Sequence, residues 1–339
     1  MVLNWNDFLP QGEEIASLRK QIDEGRMVHA LLVSGETGLG KKSFARLTAR
    51  TLLCSSKEGK PCGRCNGCLM AQKEEHPDMI ILSRGRSLTG VTAKNKAAIP
   101  VGEIREMIRL ASVWSFEGGN RIIIIDQAED MNPQAQNCLL KILEEPPANT
   151  YFILTSDHQD QLLTTVRSRC RLLKMKPWND DYIRYVLVRQ GIDQEKAAIV
   201  SRIVHGSVGN ALRLAADSEY WANRSEIIRS FFNIGERSEI LRISGQWKER
   251  KTDSEMLFNT LDDVVRGMLA YRLNPGDKAS VADLPDAWIT FAKKAGFDKF
   301  SQLLDRIAES RKQCSFNVNF QAVFEQLLLS FIGMIGEYA

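Results

Sequence analysis

The first half of the chain alternates short apolar runs with amphipathic segments. Five runs have the length and β-branched content of strands, at 30–34, 78–82, 121–126, 151–155 and 171–174. The third contains four consecutive isoleucines, which is typical of a strand that is buried on both faces of a sheet. Because helical segments lie between the runs, the pattern predicts right-handed crossovers and a parallel five-stranded sheet.

In one of these helical segments, residues 133–145, the sequence carries signals for both the start and the end of a helix. Asn132 can cap a helix, Pro133 suits its first turn, and Pro146 with Pro147 stops it. After Pro177 the strand-like runs disappear, and the rest of the chain has the apolar spacing of amphipathic helices. We therefore expect an α/β domain at 1–176, a small helical domain at 177–216 and an all-α domain at 217–339.

Composition excludes several classes of protein. The 339 residues are 44% apolar and 26% charged, which is ordinary for a globular protein and unlike a collagen, a disordered chain or a disulfide scaffold. The net charge of +3 and pI near 8.4 are too mild to indicate nucleic-acid binding by bulk charge. No apolar stretch has a membrane-spanning length, and the N-terminus lacks a signal-peptide pattern, so we expect a cytoplasmic protein with no membrane contact.

The segment from Gly35 to Lys41 reads GETGLGK and fits the phosphate-binding loop G-x-x-x-x-G-K between a strand and a helix. In such a loop Gly35, Gly38 and Gly40 let backbone N–H groups face an anion, and Lys41 reaches the phosphates. A glycine-rich turn that binds nothing is the alternative. The Mg²⁺-binding Ser or Thr that should follow is replaced by Lys42.

The isoleucine strand ends at Asp126, where a P-loop ATPase keeps its Mg²⁺ carboxylate. Gln127 stands in place of the water-activating carboxylate, and an amide cannot take a proton. Glu129 and Asp130 are expected in a solvated turn. The pattern predicts an ATPase-derived site that does not hydrolyse ATP and leaves ADP or ATP binding open.

Four cysteines follow the P-loop helix with the spacing C-x7-C-x2-C-x2-C, at Cys54, Cys62, Cys65 and Cys68. Four thiolates without an open coordination position are typical of structural Zn²⁺. Free thiols in a loop and a redox C-x-x-C pair are the alternatives. The pattern also predicts that Cys138 and Cys314 pack in helices and that His76 is structural.

Five basic residues are candidates for contacts with other molecules: Arg169, and four residues within one loop. Arg169, in Ser-Arg-Cys before the fifth strand, could reach a neighbouring subunit's nucleotide, although most surface arginines are solvated or paired. Four more lie within 84–98 and could contact DNA phosphates, although an ordinary solvated loop explains them better. These four are Arg84, Arg86, Lys94 and Lys96.

The chain resembles the subunits of the bacterial DNA polymerase III clamp loader, an AAA+ family. The match rests on the cysteine insert, on NCLLKILEEPP at 137–147, on Ser-Arg-Cys at 168–170, and on short motifs at 29–32, 76–78, 206–212 and 317–319. The resemblance spans nearly the whole chain. It implies an AAA+ nucleotide-binding-like domain at 1–176, a helical lid at 177–216 and a collar domain for oligomerisation at 217–339.

Three departures separate this sequence from the motor subunits of that family, called gamma and tau. Motor subunits keep Ser or Thr after the P-loop lysine, an Asp-Glu pair on the acidic strand and an arginine in the lid. This sequence has Lys42, Gln127 and Val208-Gly209 at those places. It therefore resembles the non-motor, delta-prime branch, a non-catalytic part of a DNA-directed DNA polymerase holoenzyme.

The resemblance also implies roles for particular residues. The four cysteines would bind zinc, Arg169 would act as an arginine finger in the ATP site of an adjacent motor subunit, and Gly35, Gly38, Gly40, Lys41 and Asp126 would form a degenerate nucleotide site. The implied partners are gamma/tau and delta subunits in a heteropentamer, and through them the sliding clamp and primed DNA. An active gamma/tau-type ATPase and a stand-alone zinc-containing DNA-binding protein remain the alternatives.

Overall fold

A computed structural model gives the fold and describes residues 3–57, 59–89, 98–112, 119–232, 239–247, 254–316 and 319–335. The chain forms two compact units. The first comprises Met1–Trp178 with Ser207–Gly209, and the second comprises Asn179–Gly206 with Asn210–Ala339. In the described part of the chain, no helix is long and apolar enough to cross a membrane.

The first unit contains a parallel sheet of five strands, as the apolar runs predicted. The strands are β1 (Ala30–Ser34), β2 (Met79–Leu82), β3 (Arg121–Ile125), β4 (Thr150–Ser156) and β5 (Arg171–Lys174). Their order across the sheet is β2-β3-β4-β1-β5, and every pairing is parallel. The carboxyl ends of β1, β3 and β4 therefore meet at one edge, where open α/β sheets place their ligands.

Helices cover both faces of this sheet. They are α1 (Glu13–Asp23), α2 (Lys41–Leu52), α3 (Asn66–Lys73), α4 (Val101–Ala111), α5 (Pro133–Glu144) and α6 (Thr164–Arg167). The four isoleucines of β3 are at most 1% exposed, which confirms that this strand is buried on both faces. The predicted cap of α5 is also present, because the Asn132 side chain accepts the backbone N–H of Ala135 at 2.8 Å.

The second unit contains helices and no strand among its described residues, as predicted. Its helices are α7 (Asp180–Arg189), α8 (Gln194–Ile203), α9 (Val208–Ala216, beginning in the first unit), α10 (Ser218–Phe232), α11 (Glu239–Trp247), α12 (Ser254–Leu273), α13 (Asp286–Lys294), α14 (Phe297–Ser315) and α15 (Phe320–Ile335). Edge-to-face aromatic contacts, such as Phe231 with Phe324 at 5.0 Å between ring centroids, build its core. The division into lid and collar at residue 216 stays a prediction.

Candidate functional site

The P-loop follows β1 and turns tightly into α2. Gly35, Gly38 and Gly40 all have positive φ angles, of 152°, 82° and 96°. Gly35 also lies against the residue that follows β5, since a Cβ atom there would stand 2.7 Å from the carbonyl oxygen of Met175. This close approach requires glycine and brings the start of α2, with Lys41 and Lys42, to the carboxyl edge of the sheet.

Lys41 is 6% exposed, and its ammonium is engaged within the chain. Nζ donates to the carbonyl oxygens of Gly35 and Glu36, both at 2.6 Å, and it forms an ion pair with Asp157 Oδ1 at 2.6 Å. An ammonium has three N–H donors, so these contacts use all of them. A phosphate that reached Lys41 would have to displace one of these partners.

Asp157 follows β4 and is a site residue that the sequence analysis missed. It accepts the Thr37 hydroxyl at 2.6 Å, and its own backbone N–H donates to Glu129 Oε1 at 2.7 Å. Burial raises the pKa of Asp157, but the hydrogen bonds from Lys41 and Thr37 outweigh burial and hold the pKa below its ordinary value. The carboxylate is thus charged at neutral pH and would repel phosphate.

The expectation that Glu129 and Asp130 lie in a solvated turn is wrong. They occupy a short 3-10 turn, Ala128–Asp130, and both are half-buried at the sheet edge. Glu129 holds the backbone of Asp157, while the backbone carbonyl of Asp130 accepts the N–H of Ile99 at 2.9 Å. The turn is therefore part of the framework around the P-loop.

Lys42 is paired with Asp126. Its Nζ lies 2.7 Å from Asp126 Oδ2, and Asp126 Oδ1 accepts the Thr155 hydroxyl at 2.8 Å. Asp126 is 8% exposed, and both of its carboxylate oxygens have partners. In a P-loop ATPase this carboxylate helps to hold Mg²⁺. The structure therefore brings Asp126, Lys41 and the three glycines together, with an ammonium where a metal would bind.

The start of α9 packs against the P-loop within the first unit. The backbone N–H of Gly209 donates to Gly38 O at 2.8 Å, and the Ser207 hydroxyl donates to Thr37 O at 3.0 Å. A Cβ at position 209 would lie 2.9 Å from Gly38 Cα. No larger side chain fits position 209 without a backbone shift, so this position requires glycine. It lies in the lid segment in which we expect the motor branch to carry an arginine.

The four predicted cysteines converge. The Sγ atoms of Cys54, Cys62, Cys65 and Cys68 all lie within 4.8 Å of one another. Zinc–sulfur bonds of about 2.3 Å in a tetrahedron separate the sulfurs by about 3.8 Å, and Cys54 Sγ lies 3.9 Å from Cys65 Sγ. The donor set thus fits a tetrahedral, soft metal such as Zn²⁺, with all four positions supplied by protein.

Backbone N–H groups face these sulfurs. Cys62 donates to Cys54 Sγ at 3.3 Å, Cys65 to Cys62 Sγ at 3.4 Å, and Cys68 to Cys65 Sγ at 3.4 Å. Burial raises the pKa of Cys65, but hydrogen bonds from Cys68 and Ser55 lower it to about 6 overall, whereas burial raises the pKa of Cys68 to about 12. The N–H groups favour thiolate, the form that binds metals.

The other predicted structural residues are where the sequence analysis placed them. His76 is 4% exposed and lies outside the cysteine cluster, with Nδ1 accepting the backbone N–H of Asp78 at 3.1 Å. Cys138 packs against the core of the first unit, and Cys314 packs against the core of the second. The prediction that these three residues are structural is confirmed.

Arg169 lies between α6 and β5, and its side chain is 31% exposed. Its Nε donates to Glu144 Oε1 at 2.7 Å, Nη2 donates to the same oxygen, and Nη1 donates to Thr165 O at 2.8 Å. Within this chain the guanidinium is therefore paired. Its action on a neighbouring subunit stays a prediction.

Two of the candidate DNA-contacting residues have acidic partners in the first unit. Arg84 Nε lies 3.6 Å from Asp130 Oδ2, and Arg86 Nη1 lies 2.6 Å from Glu74 Oε2. Lys94 and Lys96 lie outside the described residues. The two pairs favour a structural role for Arg84 and Arg86 over DNA contact.

Comparison with known proteins gives the family. Residues 10–179 match the family model described as "DNA polymerase III, delta subunit", and residues 218–333 match "DNA polymerase III, delta subunit, C terminal". Together with the parallel sheet and the helical second unit, these matches confirm the predicted fold class, an α/β P-loop domain with a parallel five-stranded sheet followed by helical regions.

Individual relatives agree with the family match. DNA polymerase III subunit delta' of Bacillus subtilis is 26% identical over 97% of this chain and 98% of its own length. The subunit delta' of Escherichia coli is 34% identical over 66% of this chain and 64% of its own length. The subunit tau of Escherichia coli is 29% identical over 61% of this chain but 32% of its own length. The chain thus belongs to the delta-subunit family of DNA polymerase III, among relatives that are named delta-prime subunits.

Proposed function

We propose that this chain is a non-motor, delta-prime-type clamp-loader subunit that supports ATP-driven loading of the sliding clamp on primed DNA without hydrolysing ATP itself. The Lys42–Asp126 ion pair at 2.7 Å carries this proposal. An ammonium and a magnesium ion repel each other and compete for one carboxylate, so the pair opposes metal binding. In addition, Gln127 follows Asp126 directly, so the carboxylate that would activate water is missing at that position.

The proposed contribution to hydrolysis is Arg169, which would reach the ATP of an adjacent gamma or tau subunit. A guanidinium delivered in trans stabilises the charge that develops on the transferred phosphoryl group, and such fingers contribute about 10³–10⁵ to the rate. The Arg169 side chain is partly exposed beside the short helix α6, so a neighbouring subunit could reach it, and this supports the proposed role.

The proposed partners are gamma/tau and delta subunits in a heteropentamer, which contacts the clamp and primed DNA. Relatives named gamma and tau support this proposal, since one named gamma matches 94% of this chain and one named tau matches 61% of it. The helices after residue 216 would form the collar through which the subunits associate, and 177–216 would form the lid.

The proposed cofactor is one structural Zn²⁺, bound by Cys54, Cys62, Cys65 and Cys68. Such an ion supplies folding free energy and no open coordination position for chemistry. Nucleotide binding at Lys41 would require a phosphate to displace one of the three partners of its ammonium, so we expect weak, magnesium-independent binding of ADP or ATP.

Reconstitution of the complex with its motor and delta subunits tests the trans arginine. Arg169→Ala should lower DNA-stimulated ATP hydrolysis and clamp loading at least tenfold, while Arg167→Ala should leave both unchanged. Arg167 is a matched control because it lies two residues away and pairs with exposed Asp160 at 3.0 Å. Unchanged hydrolysis and loading with Arg169→Ala would contradict the proposal.

The two alternatives make different predictions for the isolated chain. An active motor would hydrolyse ATP at the rate of a motor subunit and lose that activity on Lys41→Ala. A stand-alone zinc-containing DNA-binding protein would bind DNA tightly, with an affinity that falls steeply as salt rises. We expect neither behaviour, because Lys41 and Lys42 are paired within the chain and the net charge is +3.

A further inference from the structure

We propose that Glu144 is a positioning residue that holds the Arg169 guanidinium ready for the neighbouring triphosphate. This inference rests on the proposed function of Arg169. Glu144 is the last residue of α5, and Arg169 follows α6, 25 positions later in the sequence. The two helices pack together, so the carboxylate lies beside the arginine before any partner is present.

The contacts fix one edge of the guanidinium. Nε and Nη2 both donate to Glu144 Oε1, and Nη1 donates to Thr165 O at 2.8 Å. Arginine has five N–H donors in a planar fork, and these contacts use three of them. One N–H on each terminal nitrogen is left, and each can donate to a phosphate oxygen.

Pre-organisation explains why such a contact would matter for catalysis. A free arginine side chain has large rotamer entropy, which it loses when it contacts a phosphate. Contacts with Glu144 and Thr165 restrict the side chain in the isolated subunit, so less of that entropy remains to be lost on assembly. The finger then acts on the transition state with less reorganisation.

The same pair contributes little to folding. The Arg169 and Glu144 side chains are 31% and 49% exposed, and exposed ion pairs stabilise proteins weakly. The position of Glu144 comes from the helix end, which Pro146 and Pro147 fix, and from the buried Ile142 and Leu143 beside it. A change at Glu144 is therefore expected to leave the fold and assembly intact.

ATP hydrolysis by the reconstituted complex tests the inference. Glu144→Ala should lower kcat about three- to fivefold with KM for ATP nearly unchanged, which is about 1 kcal/mol at most in transition-state stabilisation. Glu144→Gln should recover part of the loss, since its amide oxygen can still accept from Nε. Glu145→Ala, an exposed carboxylate at the next position, is the matched control and should behave as wild type.

The double variant separates positioning from other effects of Glu144. In the Arg169→Ala background, Glu144→Ala should cause no further loss of kcat, because two residues that act as one unit are not additive. Circular dichroism and co-elution with the complex should match wild type for every variant.

The outcomes also distinguish the two proposals. If Arg169→Ala lowers kcat but Glu144→Ala leaves it unchanged or raises it, the positioning role is wrong and the trans arginine stands. An additive double variant would likewise contradict the positioning role. If Arg169→Ala has no effect, the proposed function itself fails, and the positioning role fails with it.

Discussion

Two adjacent lysines decide the chemistry of the P-loop. Lys41 donates to two loop carbonyls and to Asp157, and Lys42 pairs with Asp126. The first set of contacts uses all three N–H donors of the lysine that contacts phosphate in P-loop proteins. The second places an ammonium at the carboxylate that helps to hold Mg²⁺ in P-loop ATPases. A P-loop fold is thus retained, while its phosphate and metal positions are filled by side chains of the same chain.

Lys42→Ser should restore a magnesium-dependent site. The hydroxyl becomes a metal ligand, and Asp126 Oδ2 loses its ammonium partner, so magnesium–nucleotide should bind about tenfold tighter or more, which is about 1.4 kcal/mol. Titration of a fluorescent ATP analogue with and without magnesium measures this change. Lys42→Ala is the control, since it removes the ammonium without supplying a ligand.

Equal, magnesium-independent affinities for wild type and Lys42→Ser would show that the Lys42–Asp126 pair does not govern metal binding. Hydrolysis should remain absent in Lys42→Ser, because Gln127 still occupies the place of the water-activating carboxylate.

At the scale of elements, the cysteine module joins α2 to α3. Cys54 follows α2 by two residues, and Cys65 caps α3 by accepting the N–H of Cys68. The module approaches α2 closely, because a Cβ at Gly67 would lie 2.3 Å from the carbonyl oxygen of Leu53. Metal binding would therefore fix the connection between two helices of the first unit.

Removal of the metal should loosen this connection. Wild type should contain about one zinc per chain, and the Cys62→Ser/Cys65→Ser variant should contain none, with its melting temperature lowered by roughly 5 °C. Metal analysis and thermal unfolding check both values. Cys138→Ser, which changes a cysteine outside the cluster, should keep its zinc.

A reduced wild-type preparation without bound zinc would contradict the metal assignment. Retention of zinc by the double cysteine variant would contradict the choice of ligands.

At the scale of the second unit, a buried charge network joins distant helices. Arg224 of α10 is 1% exposed, and it pairs with Asp263 of α12 at 2.8 Å and with Asp283 at 2.9 Å. Burial lowers the pKa of Arg224, but the two carboxylates raise it above its ordinary value. Arg202 of α8 lies 4.0 Å from Asp263, so the network extends across the predicted lid–collar boundary.

Arg224→Ala should destabilise the second unit by about 3–5 kcal/mol, because it removes the buried cation that pairs with the largely buried Asp263 and the half-buried Asp283. Urea unfolding followed by tryptophan fluorescence measures the loss, and Arg229→Ala, an exposed arginine on the same helix, should change stability by less than about 0.5 kcal/mol. A loss below about 1 kcal/mol for Arg224→Ala would show that the network contributes little.

The sheet, the α5 cap and the cysteine cluster were predictable from sequence because each depends on neighbours close in the chain. Short β-branched apolar runs, the Asn132–Pro133 start and the C-x2-C spacings are local patterns. The sequence also indicated the defects at Lys42 and Gln127, since both lie at fixed places relative to a recognisable motif.

Contacts between residues far apart in the sequence were not predictable in this way. Asp157 had a signal, because it follows a predicted strand whose carboxyl end meets the P-loop, yet its pairing with Lys41 spans more than a hundred residues. The burial of Glu129 and the pairing of Glu144 with Arg169 had no local signal. These contacts depend on how strands and helices pack.

The sequence by itself determined the P-loop motif, the absence from it of the usual Ser or Thr and second carboxylate, and the spacing of the four clustered cysteines, because these properties lie in residue identity and short spacing. Tertiary structure decided which carboxylate pairs with each of three cationic side chains. Asp157 pairs with Lys41, Asp126 with Lys42, and Glu144 with Arg169. The physical reason is that the partner of a carboxylate depends on which strand and helix ends lie next to each other in the fold. That arrangement follows from the strand order, which no local sequence pattern determines.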